Sequence, residues 1–244
     1  EEAAPKKEDG PARGLPPYQR LLTGDDAKRV EELEKRIQEL YGPETFAEAL
    51  PLAEEVAEIR ARVQGSDHWE VKDADWTVNQ LKTLIALSPE EQSQWSTLLE
   101  LDEEAQELQK KQHYSQAQAR LEDLLARTRK MLGEEDLDTA VTYQKLARNL
   151  EAQGEYLKAQ PLFEKALALL RNLLGEMHPK TADACSGLAG NLFLQGKYAD
   201  ARLLFEKMLA LQVKLQGEDH ADTADAYNNL AWTFREQGKS AESE

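Results

Sequence analysis

A chain of 244 residues with 41% hydrophobic side chains is long enough to bury a core, in one or two compact domains or in one elongated repeat structure. Its 30 Lys and Arg residues stand against 46 Asp and Glu residues, and the net charge of -16 argues against nucleic acid and anionic membranes as partners. The single cysteine excludes an internal disulfide, the four histidines lack zinc-site spacing, and no apolar run of about 18 residues is present. We therefore expect no cofactor, no bound metal and no membrane partner.

The first segment, residues 1–22, has the composition of a disordered tail. Four of the nine prolines fall within its first 17 residues, and such a stretch buries too little apolar surface to offset its ordering entropy. Because the sequence begins at Glu1 without a methionine, one interpretation is the remnant of a cleaved signal peptide, which implies export. Without such a peptide, a cytoplasmic location is slightly favoured.

Two helical elements are expected next. Residues 26–64 predict a degenerate helix pair, in which Phe46 and Ala49 take the places that Tyr156 and Ala159 hold in a later segment. Beyond it, an additional amphipathic helix is inserted over residues 70–87, because apolar side chains recur there at helical spacing. These apolar residues are Val71, Ala74, Val78, Leu81 and Ile85.

The following segment, residues 89–132, has the length of one repeat and a strong helix start. Ser88 precedes Pro89, and Glu91 follows three positions after the serine. Serine is a favoured N-cap, proline suits the first helical position, and a glutamate at the third position closes a capping box.

From here the sequence repeats every 42 residues. Gly133, Gly175 and Gly217 each open the same loop and helix start, written GEEDLDTA, GEMHPKTA and GEDHADTA. Apolar side chains between these markers follow helical spacing, so each period predicts an antiparallel helix pair. The repeats that follow are assigned to residues 138–174 and 180–216, with a truncated half repeat at residues 222–244.

The turn residues agree with this period. Gly154 and Gly196 suit helix C-termini, where a left-handed residue is needed, and Gly238 stands at the same place in the last unit. We expect a turn at each of the three. Asp138 and Asp222 are the expected N-caps of the helices that follow the joints.

One full unit resembles the tetratricopeptide repeat. The pattern is aromatic-x-x-Leu-Ala-x-x-apolar, then Gly-x-Tyr-x-x-Ala-x-x-x-Phe-x-x-Ala. It is matched by Tyr143, Leu146, Ala147, Leu150, Gly154, Tyr156, Ala159, Phe163 and Ala166.

The period of 42 exceeds the usual length of about 34 residues and is similar to the long-helix variety of kinesin light chains. His68-Trp69, the inserted helix and the Leu-Ser-Pro-Glu joint resemble tetratricopeptide proteins of planctomycete-type bacteria. The resemblance implies an all-α, right-handed superhelical solenoid of antiparallel helix pairs with one inserted helix.

The resemblance also implies a binding groove. In such solenoids the first helices of the pairs line the concave side, and positions beside the Leu-Ala pair face it. We expect a protein or peptide segment to lie there, bonded in part by amide side chains, which offer both donor and acceptor. The positions are Gln144, Lys145, Arg148 and Asn149, then Ser186, Gly187, Gly190 and Asn191, then Asn228, Asn229, Trp232 and Thr233.

Ser186, Gly187 and Gly190 are expected to leave the middle of the groove bare, with room for a bulky ligand side chain or a close helix. For any single position, simple exposure to solvent explains a polar side chain equally well.

No catalytic or metal-binding constellation is evident in the sequence. Cys185 falls on a helix packing face, where a buried cysteine is inert. His68, His178 and His220 recur at the repeat joints, where a loop contact is expected. The acidic run at Glu134 lacks the ligand spacing and turn glycine of a calcium loop. We therefore predict a protein that is not an enzyme.

Three functions remain open. The leading hypothesis is a protein–protein interaction scaffold that binds its partner in the groove. The second is the regulatory arm of a longer enzyme, such as a caspase-like protease, because Ala226, Leu230 and Phe234 would leave the last helix with an exposed apolar face. The third is end-to-end self-assembly through the same face.

Overall fold

The computed structural model describes residues 15–243, with side chains up to residue 238. Every regular element in this part of the chain is helical, which confirms the predicted all-α class. A 3₁₀ turn at Pro17–Gln19 comes first. The α-helices in chain order are α1 (Gly24–Glu39), α2 (Phe46–Gln64), α3 (Trp69–Ala86), α4 (Pro89–Lys110), α5 (Tyr114–Leu132), α6 (Leu137–Ala152), α7 (Tyr156–Leu174), α8 (Pro179–Leu194), α9 (Tyr198–Gln216) and α10 (Ala221–Ser243).

The chain divides into two compact units, Glu1–Gln92 and Ser93–Glu244. In the first unit, α2 packs against both α1 and α3. Phe46 of α2 and Leu81 of α3 are fully buried, and burying a side chain of this kind stabilises the fold by about 1.5–3 kcal/mol. Tyr41 packs edge-on against Phe46.

The expected disordered tail, residues 1–22, lies partly outside the described residues, which start at residue 15. The structure corrects the expectation for its last part, because the Arg20 side chain is only 7% exposed. Its Nη1 donates to the Gln64 carbonyl at 2.7 Å, and its guanidinium pairs with both oxygens of Asp67 at 2.6 and 3.0 Å. Composition missed this contact, since a bidentate charged pair depends on one residue rather than on the apolar content of the segment.

In the second unit, each helix from α5 to α10 packs against the next, and α6 also contacts α8. Small residues at recurring positions allow this close approach, and several alanines are completely buried. They are Ala147, Ala159, Ala166, Ala182, Ala189 and Ala201. Successive helices therefore pair as the 42-residue period predicts.

A glycine and a threonine make the same hydrogen bond at each joint of this unit. The threonine hydroxyl donates to the carbonyl of the glycine six residues earlier, which satisfies a carbonyl at a helix end that has no partner within its own helix. The pairs are Thr139 with Gly133 (2.7 Å), Thr181 with Gly175 (2.8 Å) and Thr223 with Gly217 (2.8 Å).

The N-caps at these joints differ from the sequence prediction. Asp138 and Asp222, the expected caps, lie inside α6 and α10. Asp136 accepts instead from the Asp138 amide at 2.8 Å, and His220 Nδ1 from the Asp222 amide at 3.2 Å. His178 caps α8 in the same way. The prediction was wrong at α6 because another aspartate two residues earlier is the cap, and at α10 because a histidine ring nitrogen does what aspartate or serine usually does.

Two other local predictions are confirmed. At the start of α4, the Ser88 amide donates to Glu91 Oε2 at 2.9 Å and the Glu91 amide donates to Ser88 Oγ at 3.3 Å, which is the reciprocal capping box. At the ends of α6 and α8, Gly154 and Gly196 have φ values of 77°, as a left-handed helix terminus requires.

The turn expected at Gly238 is absent. The last helix, α10, runs without interruption from Ala221 to Ser243. In the preceding unit, Tyr198 follows the glycine by two residues and packs edge-on against Phe193, with ring centroids 5.2 Å apart. Ser240 holds that place in the last unit of the sequence, so the aromatic side chain that secures the turn is missing.

Candidate binding surface of the first helices

The predicted groove positions lie on α6, α8 and α10, the first helices of successive pairs. Residues 42 positions apart occupy equivalent places on consecutive first helices, which gives each position a neighbour in the next repeat. We use the name first-helix surface for predicted positions that reach solvent, together with the neighbouring exposed acids Asp183 and Asp225. They are Lys145, Arg148, Asp183, Ser186, Gly190, Asp225, Asn228, Asn229 and Trp232.

On α6, the predicted cations are already paired with acids of neighbouring helices. Lys145 Nζ lies 2.6 Å from Asp102 of α4, and Arg148 Nη2 lies 2.8 Å from Asp183 of α8. Gln144 is buried and donates to the same Asp183 carboxylate at 2.8 Å. These three side chains therefore link consecutive first helices.

Two of the predicted asparagine ligands are buried between repeats. Asn149 is 2% exposed; its Nδ2 donates to the Tyr114 carbonyl at 2.9 Å and its Oδ1 accepts from Gln109 at 3.2 Å. Asn191 is 0% exposed and its Nδ2 donates to Glu151 Oε2 at 3.1 Å. These amides are used within the protein, in the donor and acceptor roles that were expected toward a ligand.

The carboxylate of Glu151 is itself partly buried in this contact. Burial raises the pKa of Glu151 above its ordinary value, and the hydrogen bond from Asn191 acts in the opposite direction. Thr233, the last predicted position on α10, is likewise buried and donates to the Asn229 carbonyl at 2.7 Å.

The middle of the groove, which was expected to be bare, is open at Gly190 but filled at Gly187. An ideal Cβ at Gly187 would lie 2.7 Å from Cε1 and 3.0 Å from Cδ1 of Phe163, a fully buried ring of α7. The absence of a side chain at Gly187 therefore accommodates this ring rather than a ligand. Gly190, one turn later, has no atom within 4 Å of an ideal Cβ and is open to solvent.

On α10 the predicted positions are available. Asn228 is exposed, Asn229 is half-buried and the Trp232 side chain is 59% exposed. Trp232 occupies the place that Arg148 holds on α6 and Gly190 holds on α8. The first-helix series therefore has a guanidinium on α6, open backbone on α8 and an exposed aromatic ring on α10 at this one place.

Cys185 and the joint histidines show structural contacts. Cys185 is 1% exposed, and burial raises the pKa of its thiol, which keeps it in the unreactive protonated form. His68, His178 and His220 each accept a backbone hydrogen bond at a helix start. Within residues 15–238, no group of three or more His, Cys, Asp or Glu side chains is placed to hold a metal ion. No described helix is long and apolar enough to cross a membrane.

Sequence reasoning missed a second exposed apolar feature. Leu157 and Leu194 are 75% and 47% exposed and line one recess with Tyr156 and Lys197, at the turns that follow the first helices. Alignment of the repeats could have revealed it. The place equivalent to Leu157 in the next repeat holds a small residue, Ala199, so the repeat does not require a large apolar side chain there.

Comparison with known proteins gives both a family match and a fold match. Residues 105–172, 138–212 and 180–244 match the family model of the tetratricopeptide repeat. The crystal structure of BtubC (BKLC) from P. vanneervenii is similar with a TM-score of 0.58 at 16% identity, covering 91% of this chain and 88% of that one. No curated protein sequence matches.

Two crystal structures of a putative kinesin light chain with nearly identical TPR-like repeats, from Podosopora anserina, are also similar. One has a TM-score of 0.48 at 21% identity, over 88% of each chain. The other, a point variant, has a TM-score of 0.49 at 20% identity, over 91% of this chain and 92% of that one. The similarity to BtubC confirms the predicted solenoid fold of helix pairs and carries no further conclusion.

Proposed function

Because this chain belongs to the tetratricopeptide repeat family, whose repeats typically form non-catalytic scaffolds for protein–protein interaction, we propose that it binds a peptide or protein segment on the first-helix surface. The observation that carries this proposal is Trp232, which is 59% exposed and holds on α10 the place that the open Gly190 holds on α8. A large exposed aromatic side chain is typical of a binding anchor.

The distribution of polar contacts supports the same surface. On α6 the exposed side chains are used in ion pairs with neighbouring helices, as Arg148 is with Asp183. On α8 and α10, Ser186, Asn228 and Trp232 show no such contact among the described side chains. A ligand that reaches this part meets hydrogen-bonding groups that no neighbour occupies.

A peptide-display selection followed by amide mapping tests the proposal. Random peptides are selected on the full chain, and the backbone ¹H–¹⁵N shifts they cause are assigned. We expect the shifted amides to cluster on α6, α8 and α10. Shifts confined to α7 and α9, or no selectable peptide, would contradict the proposal.

A matched pair of truncations sharpens this test. Trp232→Ala should lower the affinity for a selected peptide by about tenfold or more, as truncation of a binding anchor does. Leu203→Ala on α9 removes a side chain of nearly equal exposure, 58% against 59%, and should leave affinity unchanged. Equal losses in the two variants would place the peptide elsewhere.

A second candidate, self-association, is favoured by one face of α10. Tyr227 and Phe234 are each 49% exposed, whereas Tyr143 and Leu150, at the equivalent positions of α6, are 8% and 5% exposed under α7. A second copy of the chain is the proposed cover. Light scattering over a concentration series should then show a mass that rises toward a dimer and that Phe234→Glu returns to the monomer. A constant monomer mass would remove this candidate, while the regulatory-arm alternative stays a prediction.

A further inference from the structure

The contact between α6 and α8 shows how the acid Asp183 on a first helix is satisfied. Asp183 of α8 accepts from Gln144 Nε2 and from Arg148 Nη2 of α6, both at 2.8 Å. Asp225 follows Asp183 by 42 residues and occupies the same place on α10. The preceding helix thus supplies one amide and one guanidinium to Asp183.

The equivalent residues of α8 cannot do this for Asp225. Ser186 stands where α6 has Gln144, and Gly190 stands where α6 has Arg148. A serine is too short to reach as glutamine does, and a glycine has no side chain. Asp225 is exposed, and it has no hydrogen-bond or ion-pair partner among the described side chains. The place on α10 equivalent to Asp183 therefore keeps its acid, while the equivalent places on α8 lack the amide and the cation.

An aromatic side chain lies on the same helix as this acid. Trp232 lies seven residues after Asp225 on the same helix, which is about 10 Å along the axis at 1.5 Å per residue. Side chains on a helix lean toward its N-terminus, so the indole leans toward the aspartate. The negative face of an indole ring also attracts a cation, through the quadrupole of the ring. The repeat thus places two groups that favour positive charge, Asp225 and Trp232, on the first helix that follows Gly190 in the series.

We propose that Asp225, Gly190 and Trp232 together form a site that binds an arginine side chain of a basic peptide segment. The guanidinium pairs with Asp225 as Arg148 pairs with Asp183, and its face lies toward the indole of Trp232. Arginine suits the place better than lysine because its planar fork pairs with a carboxylate through two hydrogen bonds and stacks on aromatic rings.

The proposal rests on the proposed function and narrows its ligand to a basic segment. The net charge of -16 favours the same class of partner at long range, since it raises the local concentration of cationic chains. That field acts over the whole surface, so the experiment has to separate it from the site.

The test follows the indole ¹H–¹⁵N peak of Trp232 while the protein is titrated separately with two peptides, each with an amidated C-terminus. One carries two arginines in a glycine–serine background, and the other carries the neutral isostere citrulline at the same places. The three other tryptophans serve as internal controls. We expect the arginine peptide to shift the Trp232 peak, and the citrulline peptide to leave it in place.

Three variants decide whether the site or the field binds the peptide. Asp225→Asn should lower the affinity for the arginine peptide by about tenfold, which is the loss expected for one charge-assisted hydrogen-bonded pair. Asp200→Asn removes the same charge from an exposed position of α9 and should change affinity less than twofold. Gly190→Arg supplies the missing guanidinium from α8 and should prevent binding.

Equal effects of Asp225→Asn and Asp200→Asn would overturn the proposal in favour of the overall field. An arginine peptide that shifts no Trp232 peak, or that the citrulline peptide matches, would also overturn it. These results leave the proposed function standing if selected peptides without basic residues still shift first-helix amides. If no peptide shifts those amides, the proposed function itself fails.

Discussion

Gly187 and Gly190 lie one turn apart on α8, and replacing each by alanine should change stability in opposite directions. Alanine in place of a helix-interior glycine stabilises by about 0.5–1 kcal/mol, because it reduces the backbone entropy lost on folding. At Gly190 nothing lies within 4 Å of the new methyl group, so this gain should appear in full.

At Gly187 the same gain meets a steric cost. The methyl group would lie 2.7 Å from Cε1 of Phe163, a ring that is 0% exposed. Overpacking of this kind costs about 1–3 kcal/mol. The net effect of Gly187→Ala should be a loss of about 1 kcal/mol, and the two variants should differ by about 1–3 kcal/mol.

Urea unfolding followed by far-UV circular dichroism measures both variants, with unchanged m-values as the sign that only stability has moved. Phe163→Leu, which shortens the ring, should reduce the cost of Gly187→Ala in a double-mutant cycle. Equal stabilisation by both alanines would refute the argument, since it would mean that the ring yields without cost.

Three further predictions concern the joints. Thr181→Val removes the hydroxyl that bonds the Gly175 carbonyl and should cost about 1 kcal/mol in urea unfolding, because a partly buried carbonyl loses its donor. Ser88→Ala should cost about 1 kcal/mol by the loss of the N-cap of α4, with Ser115→Ala on α5 as a control of little effect. Burial lowers the pKa of His68 below its ordinary 6.5, so its contribution to stability is present above pH 6.5 and is lost as pH falls toward the lowered value. Unfolding midpoints from pH 7.5 to pH 5 should fall less in His68→Asn than in the unaltered protein; a parallel fall would contradict this.

The sequence predicted the architecture well because the information is repeated. A period that returns in Gly133, Gly175 and Gly217 identifies the joints three times over, and the helices between them follow from apolar spacing. The capping box at Ser88 was likewise readable, because all its parts lie within four residues.

The candidate site was harder to predict because its side chains are decided by a neighbouring repeat. Asn149 looks like a groove ligand in its own helix, yet it is buried because the Tyr114 carbonyl of the preceding pair lies within reach. Gly187 looks like an open place in the groove, yet Phe163 of α7 fills it. Position within the period determines which residues are equivalent, but not which of them a neighbouring helix covers.

The joints respond to pH according to which residue forms the N-cap. His68 and Asp136 cap helices through equivalent contacts, and burial shifts their pKa values in opposite directions, lowering that of His68 and raising that of Asp136, because it disfavours the charged form of each. A fall in pH therefore lowers the stability contributed by His68 and raises the stability contributed by Asp136. His68 also donates from Nε2 to the Pro17 carbonyl. At these two joints the type of N-cap residue therefore sets the sign of the response to pH, while the backbone contact is the same.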